Sequence, residues 1–140
     1  MPVVDASVVV DLVDPAVPAG APPRLLIDKL VAQGADLAAP SLLWLEASNV
    51  LLTGIRRGRW DGRAADSAFA LIAQMPIRSA DVLADRERAF ELARRYDNWP
   101  VYDMVYVALA ERLGTEFYTA DEQLRVRLAH LPWVRGVGDS

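Results

Sequence analysis

The sequence predicts a three-layer α/β/α fold on a short central parallel sheet, and three observations carry that prediction. Short apolar runs bounded by turn residues alternate with longer segments of helical spacing, the pattern of strand–helix–strand crossovers. The hydrophobic fraction is 53% over 140 residues, with a mean hydropathy of +0.14, enough for a sizeable core. No linker or internal repeat divides the chain, so residues 1–140 are expected to form one domain.

The elements follow in order. Residues 2–5 read as a short buried strand. The run "ASVVVDLV" after it fits either a continuation of that strand or a helix, with Ser7 as the cap of the second option. The stretch 14–23 carries four prolines and a glycine and reads as loop. Residues 24–34 have apolar positions 25, 26, 27, 30 and 31 at helical spacing, with Gly34 suited to a C-terminal cap. Residues 35–40 form a candidate strand stopped by Pro40. The segment 41–58 is the strongest helix signal, opened by Ser41 and closed by Gly58, and an alanine-rich helix follows over 62–75. A brief strand is expected within 76–81, and an amphipathic helix over 84–97. "NWP" breaks the chain, and Pro100 fits the first turn of a helix over 101–114 that ends at Gly114. Residues 115–121 read as a strand ending in an aspartate, 122–130 as a short helix, and 133–137 as a last strand.

Composition excludes several chemistries. There is no cysteine and a single histidine, His130, so disulfides, thiol nucleophiles, thiolate zinc sites and multi-histidine metal sites all fall away. The net charge of −4 argues against a protein that coats nucleic acid indiscriminately. No run approaches the roughly 18 apolar residues of a membrane span. The N-terminus has no basic segment, and Asp5 and Asp11 interrupt its apolar stretch, so the chain reads as cytoplasmic.

The acids then stand out by position. In open α/β sheets, sites lie at the carboxyl ends of strands. Asp5 and Asp121 each close a predicted strand. Glu46 interrupts "LLWLEASNVLL", and Asp103 sits in the first turn of "VYDMVYVALA". Each has an ordinary explanation taken singly. Strand-end acids cap helices, Asp103 suits the positive end of a helix, and Glu46 fits a narrow polar edge beside Ser48 and Asn49. Taken together, four carboxylates gathered in apolar surroundings repel one another unless something compensates them. With no lysine or histidine nearby in sequence, a divalent cation is the natural counter-charge, and oxygen-only ligands select Mg²⁺ or Mn²⁺. An ion so held activates water and stabilises charge on a reacting phosphate without histidine, cysteine or serine.

The segments "VVDASVVVDLV", "PSLLWLEASNVL", "YDNWPVYDMVYVALAERLG" and "FYTADEQL", in that order, resemble PIN-domain ribonucleases, and most of all the VapC-type toxins of bacterial toxin–antitoxin pairs. The resemblance covers nearly the whole chain. It implies a PIN-like fold and a Mg²⁺- or Mn²⁺-dependent endoribonuclease. Its catalytic, metal-binding acids are Asp5, Glu46, Asp103 and Asp121, with Asp5 and Asp103 on the ion most directly. Ser7, Thr119 and Asn49 match supporting polar positions, and Asp97 is a weaker addition as an outer-sphere or capping residue. The implied partners are an RNA substrate, a small VapB-like antitoxin docked in a hydrophobic groove, and a second copy of the chain in a homodimer.

Arg56, Arg57, Arg59 and Arg63 cluster around Trp60. They fit RNA or antitoxin contact as well as they fit a solvated helix end, where arginine suits the dipole. The apolar helices over 41–58 and 62–75, Trp44 included, fit plain core as well as partner surface. Asp11, with no partner in the pattern, reads as an ordinary polar position, and His130 receives no role. Among rivals, a receiver-like module and an aspartyl-phosphate phosphatase both need a late lysine, and Lys29 is the only one. A catalytically weak RNA-binding module and a DNA-directed nuclease of the same fold remain as alternatives.

Overall fold

The computed structural model describes residues 1–139. Its elements are β1 (Val3–Val4), α1 (Ala6–Val13), α2 (Pro22–Ala32), β2 (Leu37–Ala39), α3 (Leu43–Arg56), α4 (Gly62–Ala73), β3 (Ile77–Ser79), α5 (Leu83–Arg95), α6 (Val101–Leu113), β4 (Phe117–Thr119), α7 (Glu122–Arg127) and β5 (Val134–Gly136). The five strands form one wholly parallel sheet in the order β3-β2-β1-β4-β5. The strands are only two or three residues long.

Successive strand residues point to opposite faces of a sheet. Val3 and Val4 are both wholly buried, and all three residues of β2 and of β4 are buried. Both faces are therefore covered, as a parallel sheet with helical crossovers requires. One group of packed helices comprises α1 with α2, α3 and α4; α5 and α6 pack on each other, and α6 lies against β1 and β4. Tyr106 of α6 stacks on Phe117 of β4, with ring centroids 5.6 Å apart, at the centre of the core.

The strand order fixes where a site can form. From β1 the chain winds outward to β2 and β3, then crosses back to β4 and continues to β5 on the other side. β1 and β4 therefore border the switch point, where the connections leave the sheet in opposite directions and open a crevice at the carboxyl ends.

Several boundaries differ from the sequence expectation for physical reasons. "ASVVVDLV" is helix, and its cap is Asp5 rather than Ser7: the Asp5 carboxylate accepts the Val8 N–H at 3.2 Å. β1 and β4 accordingly stop before Asp5 and Asp121, which cap the helices that follow. Asp121 accepts the N–H groups of Gln123 and Leu124. Pro22 and Pro23 belong to the first turn of α2 and not to the loop, since a first turn needs no N–H donor. Ser41 does not cap α3. Its N–H and hydroxyl both donate to Asp81, and α3 starts after Leu42 with no side-chain cap. The expected helix over 122–130 ends at Arg127. Gly34, Gly58 and Gly114 end their helices in the left-handed region, at φ of 70°, 71° and 64°.

Candidate functional site

A cleft of about 350 Å³ opens at the switch point and is lined by residues from five places in the chain. Asp5, Ser7, Val10 and Asp11 come from the cap and one stripe of α1. Glu46, Asn49 and Val50 come from one face of α3, at i, i+3 and i+4. Asp103 and Tyr106, three apart on α6, come next, followed by Asp121 at the cap of α7 and Arg59 from the turn after α3. All four acids singled out in the sequence thus meet in one cavity, with Ser7 and Asn49 beside them.

Asp5 is the most constrained of them. Its Oδ1 accepts the Ser7 hydroxyl at 2.5 Å, and its Oδ2 accepts the Thr119 hydroxyl at 2.5 Å. Those hydroxyls are themselves anchored: Ser7 Oγ accepts the Ala120 N–H, and Thr119 Oγ1 accepts the Asp121 N–H. Two small hydroxyls therefore lock the ends of β1 and β4 together through one carboxylate. Thr119 is 1% exposed and does not line the cleft, so it acts on the cleft only through Asp5.

Glu46 and Asp103 are held by aromatic donors that the sequence reading did not single out. The Tyr106 hydroxyl donates to Glu46 Oε1 at 2.6 Å, and the Trp99 indole N–H donates to Asp103 Oδ2 at 2.8 Å. Tyr106 was legible in principle, because it lies one turn along α6 from Asp103 and must share its face. Trp99 gave a weaker signal, a tryptophan in the break just ahead of that helix.

The electrostatics match the crowding. Burial pushes the Asp5 carboxyl up from 3.8 to about 6, its hydrogen bonds lower it less than burial raises it, and the charge of Asp103 adds a little. Burial also raises Glu46, with Asp103 and Asp5 pushing the same way, and raises Asp103, with Asp121 as the repelling neighbour. The Tyr106 phenol is raised by burial and by the Glu46 carboxylate that it bonds. The acids therefore act on one another as a group.

Asp11 corrects the sequence reading. It lies four residues after Ser7 on the same stripe of α1, lines the cleft and has its carboxyl raised by partial burial. Of the arginine cluster, only Arg59 reaches the cleft. It pairs with the buried carboxylate of Asp14 and lies over Trp60, 4.5 Å from the ring centroid. Arg56 bonds Thr53 at the end of α3, while Arg57 and Arg63 are exposed. Asp97 is away from the cleft, exposed and paired with Arg127. His130 bonds the Tyr96 hydroxyl at 2.5 Å, also outside the cleft.

Five carboxyl groups and one guanidinium line this cavity, and that guanidinium is already paired. Such an oxygen-only, negatively charged donor set suits a hard divalent cation in kind and in charge. Among the described residues, no three acidic or imidazole side chains meet as a closed cage for an ion. The fit is therefore one of donor chemistry and placement at the cleft.

A family model described as PIN domain matches residues 3–128. Among solved structures, the chain is similar to VapC20 of Mycobacterium tuberculosis, described as a sarcin-ricin loop cleaving toxin, with 20% identity over 90% of this chain and 94% of that one and a TM-score of 0.61. It is also similar to PAE2754 from Pyrobaculum aerophilum, with 23% identity over 97% of this chain and 88% of that one and a TM-score of 0.68. At these identities both likenesses speak to the fold. A comparison with curated proteins finds no match. The family match runs from β1 through α7, the same span that carries all four acids to the switch point, and on that extent the chain belongs to the PIN-domain family.

Proposed function

We propose that this chain is a Mg²⁺- or Mn²⁺-dependent endoribonuclease that acts as the toxin of a toxin–antitoxin pair. The observation that carries the reading is the convergence of Asp5, Glu46, Asp103 and Asp121 on one cleft whose one cationic side chain among the described residues, Arg59, is paired with Asp14. Family membership supports a nuclease, and the description of VapC20 supports RNA as the substrate and a toxin as the role.

In this reading Asp5 and Asp103 hold the ion most directly, and Glu46 and Asp121 complete the acidic cup directly or through water. The ion supplies activation of the attacking water and stabilisation of charge on the phosphate. This chain's residues do the rest. Ser7 and Thr119 fix both oxygens of Asp5, and Tyr106 and Trp99 each fix one oxygen of Glu46 and Asp103. Such outer hydrogen bonds orient ligands before substrate arrives. Asn49 offers an amide at the mouth of the cleft, while Arg59, paired with Asp14, borders it. Water, losing a proton to solvent, would add to phosphorus in line as the bond to the ribose oxygen breaks, and that oxygen would leave as a hydroxyl on taking up a proton from solvent.

The partners follow from the surface. An apolar groove of about 410 Å³ runs between α1 and α4, lined by Val13, Leu51, Trp60, Ala68 and Leu71 among others. It suits the antitoxin, and Arg59 borders both this groove and the cleft. Leu45 and Leu52 are exposed on the outer face of α3 and suit a second copy of the chain. No helix among the described residues is long and apolar enough to cross a membrane, and the reading implies a cytoplasmic protein.

The structure also selects the test. Alanine at Asp5 would remove the cap of α1 at a cost of about 1 kcal/mol, whereas asparagine keeps a capping oxygen for Val8 N–H and Ser7 while removing the charge and the oxygen that accepts the Thr119 hydroxyl. Wild type should cut total RNA with Mg²⁺ or Mn²⁺ and not with EDTA. Asp5→Asn and Asp103→Ala should stay folded by circular dichroism and lose cleavage to background. Equal cutting by either variant sinks the assignment. RNA binding without cutting favours the catalytically weak module, and cutting of DNA alone favours the DNA-directed nuclease.

A further inference from the structure

A second surface adjoins the cleft. Asp97 and Asn98 lie consecutively in the left-handed region, at φ of 56° and 59°, although neither is glycine. Asp and Asn tolerate that region better than other residues, yet two in succession are uncommon and mark a backbone that its surroundings must hold. The turn delivers Trp99, half-buried, to the start of α6. There the indole N–H is tied to Asp103, so the ring plane is fixed relative to the cleft.

One side of that ring borders a shallow, open hollow of about 450 Å³. Its walls are Trp99, Glu122, Gln123, Val126 and Arg127. The Arg127 guanidinium stands 5.7 Å from the ring centroid, and Asp97 in turn pairs with it. Glu122 is next in sequence to Asp121 of the cleft. Val126 is 60% exposed. A tethered indole, a guanidinium near its ring, an exposed aliphatic side chain and a primary amide thus line one open hollow, which the Trp99–Asp103 hydrogen bond and the Asp121–Glu122 step join to two of the acids.

This set fits a nucleobase. Single-stranded RNA is gripped by stacking bases on aromatic rings and guanidinium planes, while its phosphates follow charged or ion-filled grooves. A carbohydrate or a peptide would need more free hydrogen-bonding groups than Gln123 supplies, because Glu122 is taken by Arg125 and Arg127 by Asp97, and a lone phosphate would find no unpaired cation there among the described residues. We infer that Trp99, with Arg127 and Gln123, forms a stacking subsite for a base of the RNA strand whose phosphate lies in the acidic cleft. The inference rests on the proposed ribonuclease reading and adds to it a residue that grips substrate by its base.

The test compares two fluorescein-labelled strands of equal length and charge, a short single-stranded RNA of mixed sequence and its wholly abasic ribose-phosphate counterpart. Binding is read by anisotropy in Ca²⁺, which takes oxygen ligands as Mg²⁺ does and so keeps a counter-charge for the phosphate in the cleft, with both strands checked on a gel as uncut. Wild type should prefer the base-bearing strand by roughly tenfold, the size of one base–aromatic stack. Trp99→Ala should erase most of that preference. Trp99→Phe, which keeps a ring and loses the N–H, should retain it while its cleavage slows. Wild type binding both strands equally overturns the inference, and so does a Trp99→Ala variant that keeps the preference while folded by circular dichroism. Cleavage of total RNA is scored separately. Intact cleavage without a base preference removes only the subsite, whereas a base preference without cleavage removes the ribonuclease reading and leaves the subsite.

Discussion

Single side chains set the character of the cleft, and most of them act through a neighbour. Tyr106 is 1% exposed, yet among the described residues its hydroxyl is the one side-chain partner that holds Glu46. Tyr106→Phe keeps the stack on Phe117 and frees the carboxylate. Mn²⁺ affinity, measured by calorimetry, should fall roughly tenfold or more, the usual effect of losing an outer hydrogen bond, while the thermal midpoint changes little. The four acids were legible in the sequence because each sits where an apolar element should have no charge. Asp11 and Arg59 were not, for opposite reasons. Asp11 needed the knowledge that "ASVVVDLV" is helical, which puts it on the stripe of Ser7. Arg59 is one of four similar arginines, and the sequence does not show that, after the turn at Gly58, it alone of the four borders the cleft.

At the scale of elements, the helices were read well and the strands only as locations. A helix of a dozen residues repeats its apolar spacing three times and ends on glycine, so its pattern carries redundant information. Strands of two or three residues carry almost none, and their ends were misplaced where an aspartate turned out to cap the next helix. Caps themselves depend on distant partners, which is why Ser41 was misread: Asp81, forty residues away, takes both of its donors. The turn after α3 shows a similar long-range demand. The Trp60 indole donates to Leu51 O and lies flat on Gly54, where an added Cβ would come within 2.2 Å of the ring. Gly54→Ala gains helix propensity of about 1 kcal/mol, but displaces a hydrogen-bonded indole and with it Arg59. We expect a net loss on the order of 1–3 kcal/mol in chemical denaturation, as overpacking usually costs, and weaker RNA binding as Arg59 shifts.

For the whole molecule, gathering acids at the switch point opposes folding at neutral pH. The raised Asp5 carboxyl means that the folded chain holds this proton more tightly than the unfolded one. Its contribution is fully present below about 4 and lost as pH rises through about 6. A displacement from 3.8 to about 6 corresponds to roughly 3 kcal/mol at most. In EDTA, stability should therefore decline between about pH 4 and 6 by a share that Asp5→Asn abolishes, as followed by urea denaturation. Mn²⁺ binding only the folded state should raise the thermal midpoint, more at pH 7 than at pH 5, where protons compete. The order of the strands has one further consequence, for the timing of activity during synthesis. β1 lies in the middle of the sheet, and its Asp5 finds its Thr119 hydroxyl 114 positions later. A nascent chain emerging from the ribosome therefore carries its first acid long before the strand that completes the site. The cleft is therefore complete only once residue 121 has emerged and β4 has docked beside β1, so its chemistry waits on synthesis of nearly the whole chain.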